Sequence, residues 1–363
     1  MLIGISLIIL VIGAVAFHFW SPWTYTELAS NWGQIDFTLD ITLVLTGVVF
    51  IIINLFVAYC VMRYRYNKDR TADFDPENKK MEWILIAITS LGVIFLLAPG
   101  LFVYSEFVSP PEDAMIVEVV GQQFAWSFRF PGEDGILGRS DMRFVDNIEN
   151  PYGIDPDDPH GHDDILVQQG ELHLPVGHPV QTQMRSKDVL HDFYVPNFRV
   201  KMDLVPGLVT SLWFTPTETG TYEIVCAEYC GRGHHTMGGT VIVEDQASFD
   251  AWLAQFPVFK PDVVVELTIE QIGERLAKSA CLSCHSIDGT PALGPTWQGL
   301  YGKQETLSDG STVTVDDAYI TESIREPNAK IVQGFAQGGM PAFPNLSDED
   351  IAALIAYMKT LAN

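Results

Sequence analysis

Residues 220–244 read GTYEIVCAEYCGRGHHTMGGTVIVE, two β-rich runs, GTYEIVC and GGTVIVE, joined by a short loop. Inside the loop Cys226, Cys230, His234 and Met237 form a CxxxCxxxHxxM string. Thiolate, imidazole and thioether are the soft and borderline donors that copper prefers, and four of them within twelve residues point to a binuclear copper site and to electron transfer. A structural disulfide between Cys226 and Cys230 is the plainer alternative, but it leaves His234 and Met237 without a role. Strands on both sides would fix the ends of the loop and hold the donors still.

Outward from this loop, Ala114 to Glu244 alternates short β-rich runs with turn residues: AMIVEVVGQQFAWSFRF, DDILVQQGELHLPVG, PVQTQMRS and LVTSLWFTP precede the two runs above. That spacing predicts an all-β sandwich or barrel over residues 108–257. Among the histidines here, His160, His162, His173 and His178 lie in turn-rich or alternating contexts and read as surface residues. The acidic excess belongs mostly to the part after residue 107, and the stretch ENPYGIDPDDPHGHDD, Glu149 to Asp164, with five Asp and one Glu, reads as a solvated loop, with a divalent-cation site or a docking surface for a basic partner as the alternatives. The net charge of −25 excludes nucleic acid as a partner.

Further toward the N-terminus the composition changes. Three apolar runs, Leu2–Trp20, Ile41–Met62 and Trp83 onward to about residue 107, are each long enough to cross a hydrocarbon layer as a helix. Residues 1–107 therefore read as a membrane anchor. Six of the 21 Lys and Arg (Arg63, Arg65, Lys68, Arg70, Lys79 and Lys80) lie in the one loop between the second and third runs. The positive-inside rule puts that loop in the cytoplasm and everything after residue 107 outside. A cleaved signal peptide is the alternative for the first run, which lacks a basic start and a clear cleavage site. Of five cysteines only Cys60 falls in the membrane part; the others form two close pairs in an oxidising compartment.

Toward the C-terminus a proline-containing extended stretch around FPVFKPDVVV suggests a linker, placed at 258–267, and a further domain over 268–363. CLSCH, Cys281 to His285, is the attachment signature of c-type haem, in which two thiols bind the porphyrin covalently and the adjacent histidine ligates iron. LTIEQIGERLAKSA before it has helical periodicity. Ser347, followed by Asp348, Glu349 and Asp350, marks the start of a last helix whose stripe Ile351, Leu354, Ile355, Met358 and Leu361 reads as core.

Taken together, KDVLHDFYVPNFRVKMDLVPG and CAEYCGRGHHTMGG resemble subunit II of the haem-copper cytochrome oxidases, whose dinuclear copper A centre lies in a Greek-key cupredoxin domain. The resemblance implies that Cys226 and Cys230 bridge two coppers, that His191 and His234 are terminal ligands, and that Met237 and the Glu228 carbonyl complete the set. It also implies that the Glu228 side chain faces a magnesium or manganese ion shared with the catalytic subunit. Glu82, 17 residues before Pro99, is similarly placed to a carboxylate that begins a proton path in that family; a helix-end carboxylate with no such role is the alternative. In GQQFAWSFRF the first of the family's two tryptophans, where electrons from soluble cytochrome c enter, is Phe124 here, while Trp126 keeps the second position.

The last 95 or so residues resemble a class I cytochrome c, all-α, with Met340 as the sixth iron ligand and Met358 as the rival. The resemblance implies that the Pro295 carbonyl orients His285 and that Trp297 and Tyr301 help wall the haem from water. The whole chain is similar to the caa3-type oxidases, in which a cytochrome c is fused to subunit II. The implied role is electron delivery through haem c and copper A to subunit I, for reduction of O2 to water coupled to proton translocation. The implied setting is the bacterial inner membrane, with both redox domains on the periplasmic face. Implied partners are subunit I, other oxidase subunits, membrane lipid, and either a donor cytochrome or a quinol-oxidising complex joined in a supercomplex. A copper-A nitric oxide reductase would have a similar subunit, and a copper-delivery protein is the alternative from another class.

Overall fold

The computed structural model describes residues 2–362 except 72–75, 147–148, 169, 262–266, 291 and 345. Contacts divide the chain into two units, one of the residues up to Leu28 with Trp32–Ser109, the other of Ala29–Asn31 with Pro110 onward.

In the first unit the helices are α1 (Leu2–Trp20), α2 (Gly33–Arg63) and α3 (Lys79–Phe107), and all three are long and apolar enough to cross a membrane. Their side chains are largely exposed, as suits surfaces that face lipid tails rather than water. α1 packs on α2, with Gly4, Val11 and Ala58 buried and Gly4 set against Ala58 and Met62. α2 begins at Gly33, eight residues before the apolar run at Ile41. At 1.5 Å per residue its 31 residues span ~46 Å, more than the ~30 Å hydrocarbon layer, so the turns bearing Asp36 and Asp40 project beyond it. Hydropathy reads the buried span; hydrogen bonding sets the longer helix. α3 starts with Asn78 as its cap, whose side chain accepts from Met81 N at 3.1 Å.

The second unit opens with two five-stranded sheets. The strands are β1 (Met115–Gln122), β2 (Ala125–Phe130), β3 (Ile165–Val167), β4 (Glu171–Pro175), β5 (Val180–Ser186), β6 (His191–Val195), β7 (Val200–Leu204), β8 (Thr210–Phe214), β9 (Gly220–Cys226) and β10 (Gly238–Glu244). The sheet orders are β3-β2-β1-β5-β8 and β4-β10-β9-β6-β7, with β1 parallel to β5 and β4 parallel to β10. Alternating residues point inward: Val180, Thr182, Met184 and Ser186 of β5 are buried and their neighbours are not. They meet Phe193, Val195, Leu212, Phe214, Ile224, Val241 and Val243 in the core. Each large apolar side chain so buried stabilises the sandwich by roughly 1.5–3 kcal/mol.

The stretch Glu149 to Asp164 departs from a solvated loop. Tyr152 and Ile154 are buried, and the Tyr152 hydroxyl donates to the Phe128 carbonyl at 2.8 Å. Asp164 is fully buried and accepts from Arg129 Nη1 at 2.6 Å, while Arg129 Nε donates to Glu118 at 2.6 Å and Arg185 Nε to the other Glu118 oxygen at 2.6 Å. Burial alone would raise the Glu118 pKa, but the two arginines outweigh it and hold the carboxyl below its ordinary value. The stability from Glu118 is therefore present above pH 4.5, its ordinary value, and is lost as pH falls through the lower folded value. Arg129→Met leaves two buried carboxylates without their shared cation and should cost about 3–5 kcal/mol. Denaturant unfolding of the purified protein checks this, and a loss below about 1 kcal/mol, the scale of an exposed pair, would contradict it.

After β10 comes α4 (Gln246–Leu253), a helix without a counterpart in the sequence reading. Its Trp252 stacks on His173 with centroids 4.3 Å apart, and His173 also bonds Glu244 at 2.6 Å and Glu171 at 2.9 Å. His173 is thus a buried clamp and not a surface residue. The start of the expected 258–267 linker is likewise drawn onto the sandwich: Phe259 is buried, and its N–H donates to the Asp164 carbonyl at 2.8 Å. Residues 262–266 of that linker lie outside the described residues.

The C-terminal part comprises α5 (Ile269–Leu276), a π-helical turn over Ala277–Cys281, a small hairpin of β11 (Gln304–Thr306) and β12 (Thr312–Thr314), α6 (Asp317–Arg325) and α7 (Asp348–Thr360). Thr268 with Gln271, and Ser347 with Asp350, form capping boxes at the starts of α5 and α7. α5 packs on α7, whose Ile351, Leu354, Ile355 and Met358 are buried. Ser347→Ala should cost about 1 kcal/mol of stability in this part, read as a lowered midpoint of haem-region unfolding.

Candidate metal and haem sites

The copper string occupies the connection from β9 to β10. Antiparallel pairing sets Phe193 of β6 opposite Cys226 of β9, so His191, two residues before Phe193, comes to the same end of the sheet as the loop. A residue 35 positions upstream of Cys226 in sequence is thereby brought to it: His191 Nδ1 lies 4.0 Å from Cys226 Sγ. Cys226 Sγ and Cys230 Sγ are 3.7 Å apart, too far for a disulfide bond, and both cysteines are free and buried. Cys230 Sγ lies 3.6 Å from His234 Nδ1 and 3.7 Å from Met237 Sδ, and Cys226 Sγ lies 3.2 Å from the Glu228 carbonyl. Among the described residues, His191, Cys226 and Cys230 are the one group of three His, Cys or carboxylate side chains close enough to share an ion.

Electrostatics suit a thiolate site. The hydrogen bond from Cys230 pulls the Cys226 thiol well below its ordinary value, against burial, and Cys230 is correspondingly pushed up, so the pair shares a proton that a metal would displace. His191 Nε2 is held by Asp188 Oδ1 at 2.8 Å, which leaves Nδ1 facing the sulfurs. The other Asp188 oxygen accepts from Gln123 N at 2.7 Å, and Gln123 Nε2 donates to the Cys230 carbonyl at 2.7 Å. The sequence reading passed over Asp188 and Gln123. An aspartate three residues before the histidine in KDVLH was the available signal for the first. Trp126 is buried edge-on to His191, with centroids 6.2 Å apart, and Phe124 is buried beside the loop. Glu228 and His235 are exposed, and Glu82 is exposed in the first turn of α3.

In the C-terminal part a cavity of about 310 Å³ is lined by Cys281, Cys284, His285, Trp297 and Met340 among other, mostly apolar, side chains. His285 Nδ1 donates to the Pro295 carbonyl at 2.8 Å, leaving Nε2 free to bind iron. Burial lowers the His285 pKa, which keeps the ring neutral, and pushes the Cys281 thiol up to about 12. Ser323 Oγ is 4.0 Å from Met340 Sδ. Met358 is buried in the core of α7, at the cavity wall. Tyr301 differs from expectation: it packs against the core of this part, outside the cavity lining, and its hydroxyl donates to Asp317 at 2.6 Å.

Residues 115–245 match the family described as the periplasmic domain of cytochrome c oxidase subunit II, and residues 271–362 match cytochrome c. The chain is 52% identical to the alternative cytochrome c oxidase subunit 2 of Bradyrhizobium diazoefficiens over 259 residues, 71% of this chain and 93% of that protein. The chain belongs to the cytochrome c oxidase subunit 2 family. The cytochrome c oxidase subunit 2 of Alkalihalophilus pseudofirmus is 26% identical over 85% of this chain and 82% of its own length. The crystallised periplasmic domain of subunit II from Bradyrhizobium japonicum is 24% identical, covering 40% of this chain and 96% of that one, with a TM-score of 0.30.

A cytochrome c oxidase subunit 2 is a subunit of a haem-copper oxidoreductase and works in complex with subunit I. The family's outer domain implies copper A, and the fused cytochrome c domain implies haem c. The residues fit both groups. Two unbonded sulfurs with imidazole, thioether and carbonyl donors around them suit soft, thiolate-bound copper. An apolar cavity with a CxxCH on its wall and an oriented imidazole suits a covalent haem. Three apolar helices and an outward-facing domain make this a membrane protein.

Proposed function

We propose that this chain accepts electrons at haem c and passes them through dinuclear copper A to subunit I, where O2 is reduced to water with proton translocation. The observation that carries this reading is two separate groups of metal-binding side chains in one chain, the sulfur cluster at the β9–β10 loop and the cavity behind CLSCH. When bound, the two groups supply one-electron carriers of the kind a membrane oxidase needs. Cys226, Cys230, His191, His234, Met237 and the Glu228 carbonyl would hold the coppers, and the β9 and β10 strands fix the ends of the loop that carries most of those donors. Cys281 and Cys284 would anchor the haem covalently, and His285 and Met340 would bind its iron. Trp126, packed against His191, and Phe124 lie along the electron path.

The exposed Glu228 carboxylate is free to take a magnesium or manganese ion at the face shared with subunit I. The same reading gives Glu82, in the first turn of α3 beside Lys79 and Lys80, the role of taking up protons from the cytoplasmic side. The setting is a bacterial inner membrane with the redox domains on the periplasmic face, and the donor is a cytochrome or a quinol-oxidising complex. Gas consumption by the purified complex tests the terminal step: O2 is expected to be consumed, and turnover of nitric oxide alone would overturn the reading. Absence of the two-copper mixed-valence spin signal would instead leave only a copper carrier.

A further inference from the structure

The wall of the haem cavity is not built from the cytochrome segment alone. Phe124, Arg232 and His235, all from the copper-bearing domain, line it together with Cys281, Cys284 and Met340. Arg232 and His235 belong to the CGRGHH loop itself, between and beside the expected copper ligands. We propose that the outer face of the copper loop is the docking surface for the chain's own cytochrome domain, with Phe124 and Arg232 closing the mouth of the haem cavity. The inference rests on the electron-delivery reading and adds to it which surface joins the two carriers and which residues hold it.

Three separate contacts support it. The loop wraps Phe124 so closely that a Cβ on Gly233 would lie 2.5 Å from its ring, and one on Gly231 would lie 3.2 Å away. The ring is therefore held on one side by the copper loop and faces the cavity on the other. Arg232 reaches across to Gly338, two residues before Met340, where any Cβ would fall on the guanidinium. Beside these, Gln122 Nε2 donates to the Ser279 carbonyl, two residues before Cys281, and Lys187 Nζ donates to Gln122 Oε1 at 2.9 Å.

Charge acts here only locally. Residues 268–363 hold twelve acidic and six basic side chains and residues 108–257 twenty-three acidic and eight basic, so the two domains repel as wholes and Arg232 supplies an attractive exception at the face where they meet. The covalent tether adds an effective local concentration on the order of millimolar, so weak individual contacts suffice. One consequence concerns the donor. With Phe124 buried and this mouth closed, a separate donor protein must deliver its electron at another haem edge.

The test uses the full-length chain loaded with haem and copper, and two variants from opposite sides of the surface. Arg232→Glu reverses the charge. Gly338→Asn keeps a residue that tolerates positive φ and places a side chain where the guanidinium lies. In both, amide exchange in peptides covering 229–236 and 336–341 should rise about tenfold while the sheet core is unchanged. Haem-to-copper electron transfer after photoreduction should slow about tenfold, and Arg232→Glu should also lower the haem potential, since a nearby cation favours the reduced form. Exchange within about twofold of the parent in both variants would overturn the proposal. Should Arg232→Glu disturb copper binding, Gly338→Asn alone decides. Failure of the electron-delivery reading is separate, since it appears as missing haem or two-copper spectra in the parent chain, where exchange still reports docking.

Discussion

Cys230→Ser should abolish the two-copper centre. Cys230 Sγ is the hub of the cluster, within 3.7 Å of Cys226 Sγ, 3.6 Å of His234 Nδ1 and 3.7 Å of Met237 Sδ. A hydroxyl there is a harder, shorter donor that cannot bridge as a thiolate does. Removing a mere outer partner of a metal site typically costs about 10–100-fold in affinity or activity, so losing a shared donor should lower O2 consumption by at least ~100-fold. Haem absorption should be retained, because the substitution leaves the CLSCH cavity's own ligands in place. Spectra and O2 uptake on the same preparation check this, and a retained mixed-valence spin signal would contradict the assignment. Cys226→Ser should behave alike, with His191 losing its neighbour, whereas Asp188→Asn should act more mildly by loosening the His191 ring.

These outcomes also mark how far the sequence could be read. Contiguous motifs were legible because their spacing is local chemistry: CxxxCxxxHxxM on one loop, CxxCH on one turn, Ser347 at a helix start. Long apolar runs were equally plain, although the polar turns before Ile41 carry no hydropathy signal and only helix geometry adds them to α2. Pairing between distant strands is not written locally. His191 reaches Cys226 through the β6–β9 register, and HDFYV and VKMDL, divided by a proline-containing turn, gave no clear strand signal of their own. Residues between Glu149 and Asp164 looked solvated because composition counts charges without their partners. Arg129, 35 residues before Asp164, supplies the counter-charge. His173 was misread for a related reason, since its stacking partner Trp252 lies on a helix too short for periodicity to stand out. Arg232 carries no motif, and its position at the haem cavity follows only from the meeting of two domains.

Met340→Ala should cut the chain's electron supply at the preceding step. Met340 lines the cavity across the same space as His285, on the loop before α7, and its sulfur lies 4.0 Å from the Ser323 hydroxyl. A thioether paired with a neutral histidine favours the reduced iron and a high haem potential. His285 is kept neutral by burial and oriented by the Pro295 carbonyl, so the loss of sulfur is not offset from that side. The potential should fall by on the order of 100 mV, and since 59 mV is tenfold for one electron, the haem would be reduced by its donor roughly 50-fold less favourably. Titration of the haem absorbance against potential, with the iron–sulfur band of the oxidised protein as a second readout, measures this directly. Met358→Leu, in the packed stripe of α7, should leave both readouts unchanged and alter only stability, by less than about 1.5 kcal/mol. If instead Met358→Leu removed the band and Met340→Ala preserved it, the two methionines would exchange roles.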